Sequence, residues 1–198
     1  MSSSLALASV TALLKDLLEN GLASNGVTAR LGGDASVSAM PPDRISSGAD
    51  EKAQLNVFLY HVTPRSALRQ TQAGTPRPLA LELHYLLTAY GAQDYQTEIL
   101  LGLAFKLMHE NPTFEKERIR STLKALSHSR DRRVIPAPQA ALSGSTLADD
   151  VESITIEAEF LSSEEVSRLW SALQAKFRPS ATYKVSVVVI DSSKPNGA

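Results

Sequence analysis

The stretch PLALELHYLLTAYG, residues 78–91, decides how this chain is understood. Every second residue from 79 to 87 is leucine or tyrosine, which is the period of two expected of a β-strand. The same letters also place apolar residues along one side of a helix, with Pro78 at a possible start and Gly91 at a possible end. The pattern alone leaves strand and helix open, so the neighbouring segments have to decide.

If the stretch is a strand, Glu82 and His84 share one face and could offer two metal ligands. No obvious third or fourth ligand lies nearby in the sequence, and we expect a solvated or hydrogen-bonded polar face instead. The sequence also lacks a nucleophile elbow, a zinc-protease helix motif, a phosphate-binding loop and a dinucleotide fingerprint. We therefore predict no catalytic residue, no cofactor and no metal, and a protein that is not an enzyme.

The segments on either side favour a strand. QLNVFLYHVTP, residues 54–64, alternates with apolar residues on both faces, Phe58, Tyr60 and Val62 opposite Leu55, Val57 and Leu59, as in a covered central strand. Residues 94–112 predict a mostly buried helix that includes Phe105, starts at Asp94 as N-cap and stops at Pro112. Because that helix has its own start signal, residues 79–90 fit better as a core strand leading into it.

The first part of the chain predicts one more helix and little regular structure after it. The N-terminal segment carries an apolar helical stripe and ends at Gly21. Lys15 and Asp16 interrupt its apolar run, so it is not expected to be a signal peptide. Residues 27–31 are a weak strand candidate, and residues 36–40 are short and β-like.

The second part of the chain is easier to interpret. We predict a short helix over 114–127, loop over 128–150, and a strand over 151–160. Ser162 and Glu165 form a capping-box signature that starts a helix extending to Phe177. A strand over 181–191 follows, so that the end of the chain looks like a βαβ unit. We expect one domain over 1–191 and a flexible tail over 192–198.

Composition narrows the class of protein. The chain has 198 residues, 43% of them hydrophobic, which suffices for a single core. The formal net charge of −1 gives no overall attraction to nucleic acid or to anionic membranes. No segment approaches the about 18 apolar residues of a membrane span, and the absence of cysteine fits a reducing cytosol. We expect a soluble protein that neither binds nucleic acid nor inserts into membranes.

Two basic segments are candidates for contact with protein partners. The 65–78 segment is long for a connector and carries Arg65, Arg69 and Arg77. The 128–150 segment carries Arg130, Arg132 and Arg133 without the interleaved aromatic residues that stack on bases, which favours a protein partner over RNA. Plain solvation of both segments is the alternative.

Five segments in this order resemble one known family: LNVFLYHVTP, RPLALELHYLLTAYG, LLGLAFKLMHENP, EEVSRLWSAL and TYKVSVVVIDS. The chain resembles, from about Leu5 to Ser192, the terminator (cap) proteins of extracellular contractile injection systems, which are phage-tail-like particles. It is similar to the N-terminal domain of the cap proteins of the Photorhabdus virulence cassette and the antifeeding prophage. The resemblance also places a strand at 79–90.

The resemblance implies an α+β fold of the phage tail-terminator type, a single domain in which a mixed or antiparallel sheet packs against helices. It implies a structural cap that forms a homohexamer ring, ends the inner tube and anchors the last sheath layer at the baseplate-distal end. The partners would be the chain itself, the inner tube protein and the sheath protein. The protein would be cytoplasmic during assembly and then part of the particle.

Two other functions compete with the cap. One is a non-enzymatic adaptor that binds another assembly component, and the other is an enzyme whose site follows no known motif. The final strand adds Val187 and Val189 to the candidate contacts, on the condition that it lies at a sheet edge and accepts a partner strand.

Overall fold

A computed structural model describes residues 5–46, 48, 51–65, 79–127, 140–142, 145, 147–151 and 153–189 of the chain. The helices are α1 (Ala6–Ser24), α2 (Val27–Leu31), α3 (Gln96–Glu110), α4 (Lys116–Ser127), α5 (Leu147–Asp150) and α6 (Ser163–Ala172). The strands are β1 (Ser36–Ser38), β2 (Gln54–Pro64), β3 (Leu79–Tyr90), β4 (Thr113–Glu115), β5 (Ser153–Glu159) and β6 (Ser180–Val189). The predicted tail, 192–198, lies outside the described residues.

The six strands form one mixed sheet in the order β1-β2-β3-β6-β5-β4. Only the β1–β2 pair is parallel; the other four pairs are antiparallel. β3 pairs with β2 on one side and with β6 on the other, which settles the ambiguity of residues 79–90 in favour of a central strand. The predicted α+β architecture, a mixed sheet packed against helices, is therefore present.

The main core lies between one face of the sheet and the helices. Alternate residues of β3 (Leu83, Tyr85 and Leu87) belong to the same buried cluster as the apolar stripe of α1 and the buried side of α3. The hydroxyl of Tyr85 shares a hydrogen bond of 2.9 Å with Thr11 of α1, so a buried polar atom is satisfied where sheet and helix meet. This alternation leaves Glu82 and His84 on the opposite face.

The sequence predicted that the first helix ends at Gly21, but α1 continues to Ser24. A Cβ atom at Gly21 would lie 2.1 Å from Cδ1 of Leu107 on α3. Two helices this close have no room for a side chain between them, so the glycine serves the packing of α1 on α3.

Several local predictions are corrected. Residues 27–31 form α2 and not a strand, between Gly26 and Gly32, which both have positive φ. The residue preceding α3 is Tyr95, with a φ of 68° and no side-chain cap, and not Asp94. The helix after Ser162 ends at Ala172, short of Phe177. β5 and β6 are antiparallel, so the last strand–helix–strand unit is not a βαβ crossover.

A β-bulge in β2 changes which side chains reach each face. The register between β2 and β3 shifts between Leu59 and His61, so that His61 lies opposite His84 and Val62 lies opposite Leu83. Val62 therefore points to the helix side, and not to the side of Phe58 as the simple alternation predicts. The extra residue, Tyr60, directs its ring toward His84 on the other face.

Candidate interaction surface

The sheet face away from α1 carries a polar cluster, which we call the polar face. Its members lie on four adjacent strands and consist of Thr63, Glu82, His84, Glu157, Glu159 and Lys184. The strands place them together because residues opposite one another in an antiparallel pair point to the same side. Glu82 and His84 thus occupy the polar face that the sequence predicted for them.

His84 is the centre of this cluster, and both of its ring nitrogens are engaged. Nε2 lies 3.0 Å from the Thr63 hydroxyl, and Nδ1 lies 3.0 Å from Oε2 of Glu159. The Tyr60 hydroxyl donates a hydrogen bond of 3.2 Å to the same carboxylate. Burial, followed by the Glu159 charge, raises the pKa of Tyr60, so the phenol remains the donor.

Lys184 is the cation that the carboxylates of the polar face surround. Its Nζ lies 3.1 Å from Glu157 and 3.9 Å from Glu82. The hydrogen bond with Glu157 raises the pKa of Lys184. With Glu159 included, three carboxylates share this face with one lysine, and Glu157 remains about half exposed. The polar face is therefore acidic in balance.

Glu82 and His84 do not act as a pair. Glu82 is directed to Lys184, whereas His84 is directed to Glu159, a residue on another strand. Among the residues that the structure describes, no three His, Asp or Glu side chains are grouped closely enough to hold a metal ion. The arrangement cross-links four strands through hydrogen bonds.

The predicted contact residues are only partly placed. Arg65 is exposed directly after β2, and its backbone N–H donates to the carbonyl of Ala80. Arg69, Arg77, Arg130, Arg132 and Arg133 lie outside the described residues. The candidates that the structure describes are therefore Arg65 and, on β6, Val187 and Val189.

The expectation that the final strand could accept a partner strand required that strand to lie at a sheet edge, and this condition is not met. β6 lies between β3 and β5 and is not at an edge. Val187 is opposite both Leu81 and Ile154 and is buried, and Val189 is opposite Leu79. A strand flanked on both sides in this way has no free ladder at Val187. The outer strands are β1 and β4, each only three residues long.

Several exposed aromatic side chains escaped the sequence analysis, Phe105 and Phe160 among them. Phe105 of α3, expected to be buried, is 48% exposed, and Phe160, directly after β5, is 92% exposed. The ring of Phe105 lies 6.5 Å from that of Tyr183. The periodicity of α3 could not reveal this exposure, because it identifies apolar side chains without showing that β4 covers only Ser153, Ile154 and Thr155 of β5. None of the described helices is both long and apolar enough to cross a membrane.

Comparison with known proteins gives a family and a fold. The family of the Pvc16 N-terminal domain matches residues 9–198. The cryo-EM structure of the PVC sheath/tube terminator, from an extracellular contractile injection system in its extended state, is similar with a TM-score of 0.54 and 17% identity over 96% of this chain. At this identity the likeness shows the fold, and it confirms the predicted tail-terminator-like architecture.

This chain corresponds to 60% of the length of that terminator. The tube-terminating cap of the anti-feeding prophage is also similar, at 15% identity over 81% of this chain and 51% of the cap, but its TM-score of 0.39 is too low to support an argument. No curated protein sequence matches the chain. The predicted resemblance is nevertheless confirmed by the family match, which covers nearly all of the sequence: the chain belongs to the Pvc16 N-terminal domain family.

Proposed function

We propose that this protein is a structural terminator of a contractile injection system. It binds at the baseplate-distal end of the particle, ends the inner tube and anchors the last layer of the sheath. The observation that carries the proposal is the family match over residues 9–198. The shared fold with a sheath/tube terminator supports it over almost the same length.

The geometry of the polar face supports a scaffold role over an enzymatic one. Both ring nitrogens of His84 are occupied, and Glu82 faces a lysine, so the residues that most resemble a catalytic pair serve to hold strands together. Side chains that satisfy one another in this way stabilise a unique sheet arrangement.

The proposed partners are other copies of the chain, the inner tube protein and the sheath protein. A homohexamer ring requires a heterologous interface that closes on itself, in which two different surfaces of each copy meet. The basic 65–78 and 128–150 segments remain the sequence-based candidates for such contacts. Assembly would take place in the cytoplasm, before the particle is released.

The decisive experiment removes the gene from a producing strain and examines the particles by electron microscopy. We expect tubes of irregular and excessive length with sheaths detached at the distal end, and restoration by the wild-type gene. Tubes of uniform, normal length with anchored sheaths would refute the terminator role. An adaptor would instead change the content of one other component while tube length stayed normal.

The ring is tested separately by size-exclusion chromatography with light scattering. We expect a hexamer, either for the protein alone or after mixing with purified tube protein. A monomer under both conditions at every concentration tested would exclude the ring while leaving the deletion result to decide the terminator role.

A further inference from the structure

The edge of β5 continues past the end of β4. β4 lies opposite only Ser153, Ile154 and Thr155 of β5. The next N–H on this side, that of Ile156, donates to the carbonyl of Pro112 at 2.7 Å. Backbone groups of every second residue in a strand point to the same side. The N–H and C=O of Ala158 therefore point, like those of Ile156, to the side of β5 on which β4 lies. None of the described residues pairs with them there.

An apolar groove runs along this open edge. A cavity of about 360 Å³ lies between α3 and β5, and its lining is mostly apolar, with Phe105, Ile156, Ala158 and Tyr183 among its residues and His109 as a polar member. A second cavity of about 190 Å³ shares Phe105 and Ala158 and continues to Phe160. Burial raises the pKa of Tyr183 to about 12, so the groove wall carries no charge from this residue.

The other side of the same edge is acidic. Glu157 and Glu159 lie on the polar face on either side of Ala158, and that face holds three carboxylates with Lys184 as their cation. A strand added beside Ala158 would point alternate side chains into the apolar groove and toward these carboxylates. Pairing of this edge with the same edge of a second copy would bring like charges together, which is unfavourable.

We propose that the β5 edge at Ala158 binds an extended segment of another protein component as an added strand. The segment carries apolar residues at alternate positions, which enter the groove beside Phe105, and basic residues between them, which face Glu157 and Glu159. This site would give the proposed terminator a specific contact with a partner. The inference rests on the proposed function only in taking the segment to come from another component of the particle. The backbone edge, the groove and the charge belong to this chain alone.

The test measures binding of fluorescent decapeptides to the purified full chain by polarisation. The probe alternates valine with lysine, and its control alternates valine with glutamate. We expect the lysine peptide to bind at least about tenfold more tightly, since only it complements the carboxylates. Equal binding of both peptides, or of neither, would overturn the proposal.

Variants locate the site. Ala158→Pro removes the outward N–H without removing a donor from the β5–β6 ladder, because Pro is tolerated where the N–H faces away from the sheet. We expect at least a tenfold loss of affinity for the lysine peptide. Phe105→Ser, which changes only a surface side chain, provides a second test should the proline variant fail to fold, and should weaken binding severalfold. Unchanged binding by a folded variant at either position would contradict the assignment.

The matched control is Tyr95→Asn, which removes an exposed aromatic residue at a positive φ that asparagine adopts readily. Binding should be unaffected. In assembled particles, a photo-crosslinking residue at Phe160 should capture a different component. Capture of a second copy of this chain would refute another component as the source of the segment. Failure of the lysine peptide to bind would refute the site at the β5 edge, even if gene deletion confirms the terminator role.

Discussion

At the scale of single residues, the contact between Gly21 and Leu107 sets the distance between α1 and α3. In most helices an alanine in place of glycine is favourable by about 1 kcal/mol. Here the added methyl group would overlap a buried leucine, and overpacking costs about 1–3 kcal/mol. The sterics therefore outweigh the helix propensity.

We expect Gly21→Ala to lower the free energy of unfolding by about 1 kcal/mol net, measured by urea denaturation. Gly102 of α3 supplies the control, since a Cβ atom there would contact nothing within 4 Å. Gly102→Ala should raise the free energy of unfolding by about 0.5–1 kcal/mol. Effects of the same sign would show that the two helices adjust more easily than the close contact implies.

The burial of Asp16 in α1 leads us to expect that the stability of the fold depends on pH. Burial raises the pKa of its carboxyl group, with Glu19 adding to the rise and Arg118 and Lys15 opposing it. A raised carboxyl pKa means that the folded state holds its proton more tightly than the unfolded state, so ionisation destabilises the fold as the pH rises. We expect Asp16→Asn to raise the Tm at pH 7 and to have little effect at pH 3. A gain that is equal at both pH values would contradict this explanation.

At the scale of elements, the sequence identified segments with strong periodic or capping signals. The capping box at Ser162 is present, with the Glu165 N–H donating to the serine hydroxyl and the glutamate carboxylate accepting from the Ser162 N–H. β2 was recognisable because its apolar residues alternate over many positions. The pattern of β3 also fitted a helix, and its neighbours in the sequence were needed to identify it as a strand. The sequence was sufficient to predict an element where residues close together in the chain determine its structure.

The remaining features depend on contacts between distant segments, which no local pattern contains. The bulge at Tyr60 arises where β2 meets β3, and the alternation of β2 gave no sign of it. β4 has three residues and exists only because β5 pairs with it. The open edge at Ala158 follows from that short strand, so the groove beside Phe105 could not be predicted from the sequence.

The cap of α6 can be tested directly. Ser162→Ala removes the side-chain acceptor at the N-terminus of the helix and should cost about 1 kcal/mol in thermal or urea unfolding. Ser163→Ala is the matched control, because Ser163 follows the cap and its change should be close to neutral. An equal cost for both would indicate that the serine side chain contributes through something other than capping.

At the scale of the whole molecule, a buried ion pair connects three distant parts of the chain. Glu51 is almost fully buried; its carboxylate accepts from Arg178 at 2.5 Å and from the Gly91 N–H at 2.8 Å. Arg178 precedes β6, and Gly91 follows β3. Breaking a buried pair of this kind leaves an uncompensated charge, so all three segments depend on one another.

Removal of β6, which lies between β3 and β5, should unfold the protein as a whole. A chain that ends at Pro179 would lose the strand between β3 and β5, and we expect it to lose cooperative thermal unfolding in circular dichroism. Removal of residues 192–198, the predicted flexible tail, is the control and should leave the Tm unchanged. A cooperative transition in the shorter chain would mean that the two parts of the sheet are stable separately.

The position of β6 also affects how the protein can be made. β6 is the last of the six strands to leave the ribosome, yet both β3 and β5 need it as a neighbour. Until it emerges, the nascent chain holds two incomplete sheets with unpaired inner edges, which are prone to pair wrongly. Completion of the fold thus waits until residue 189 has left the ribosome, and synthesis that stops earlier leaves a chain that exposes these inner edges to chaperones and proteases.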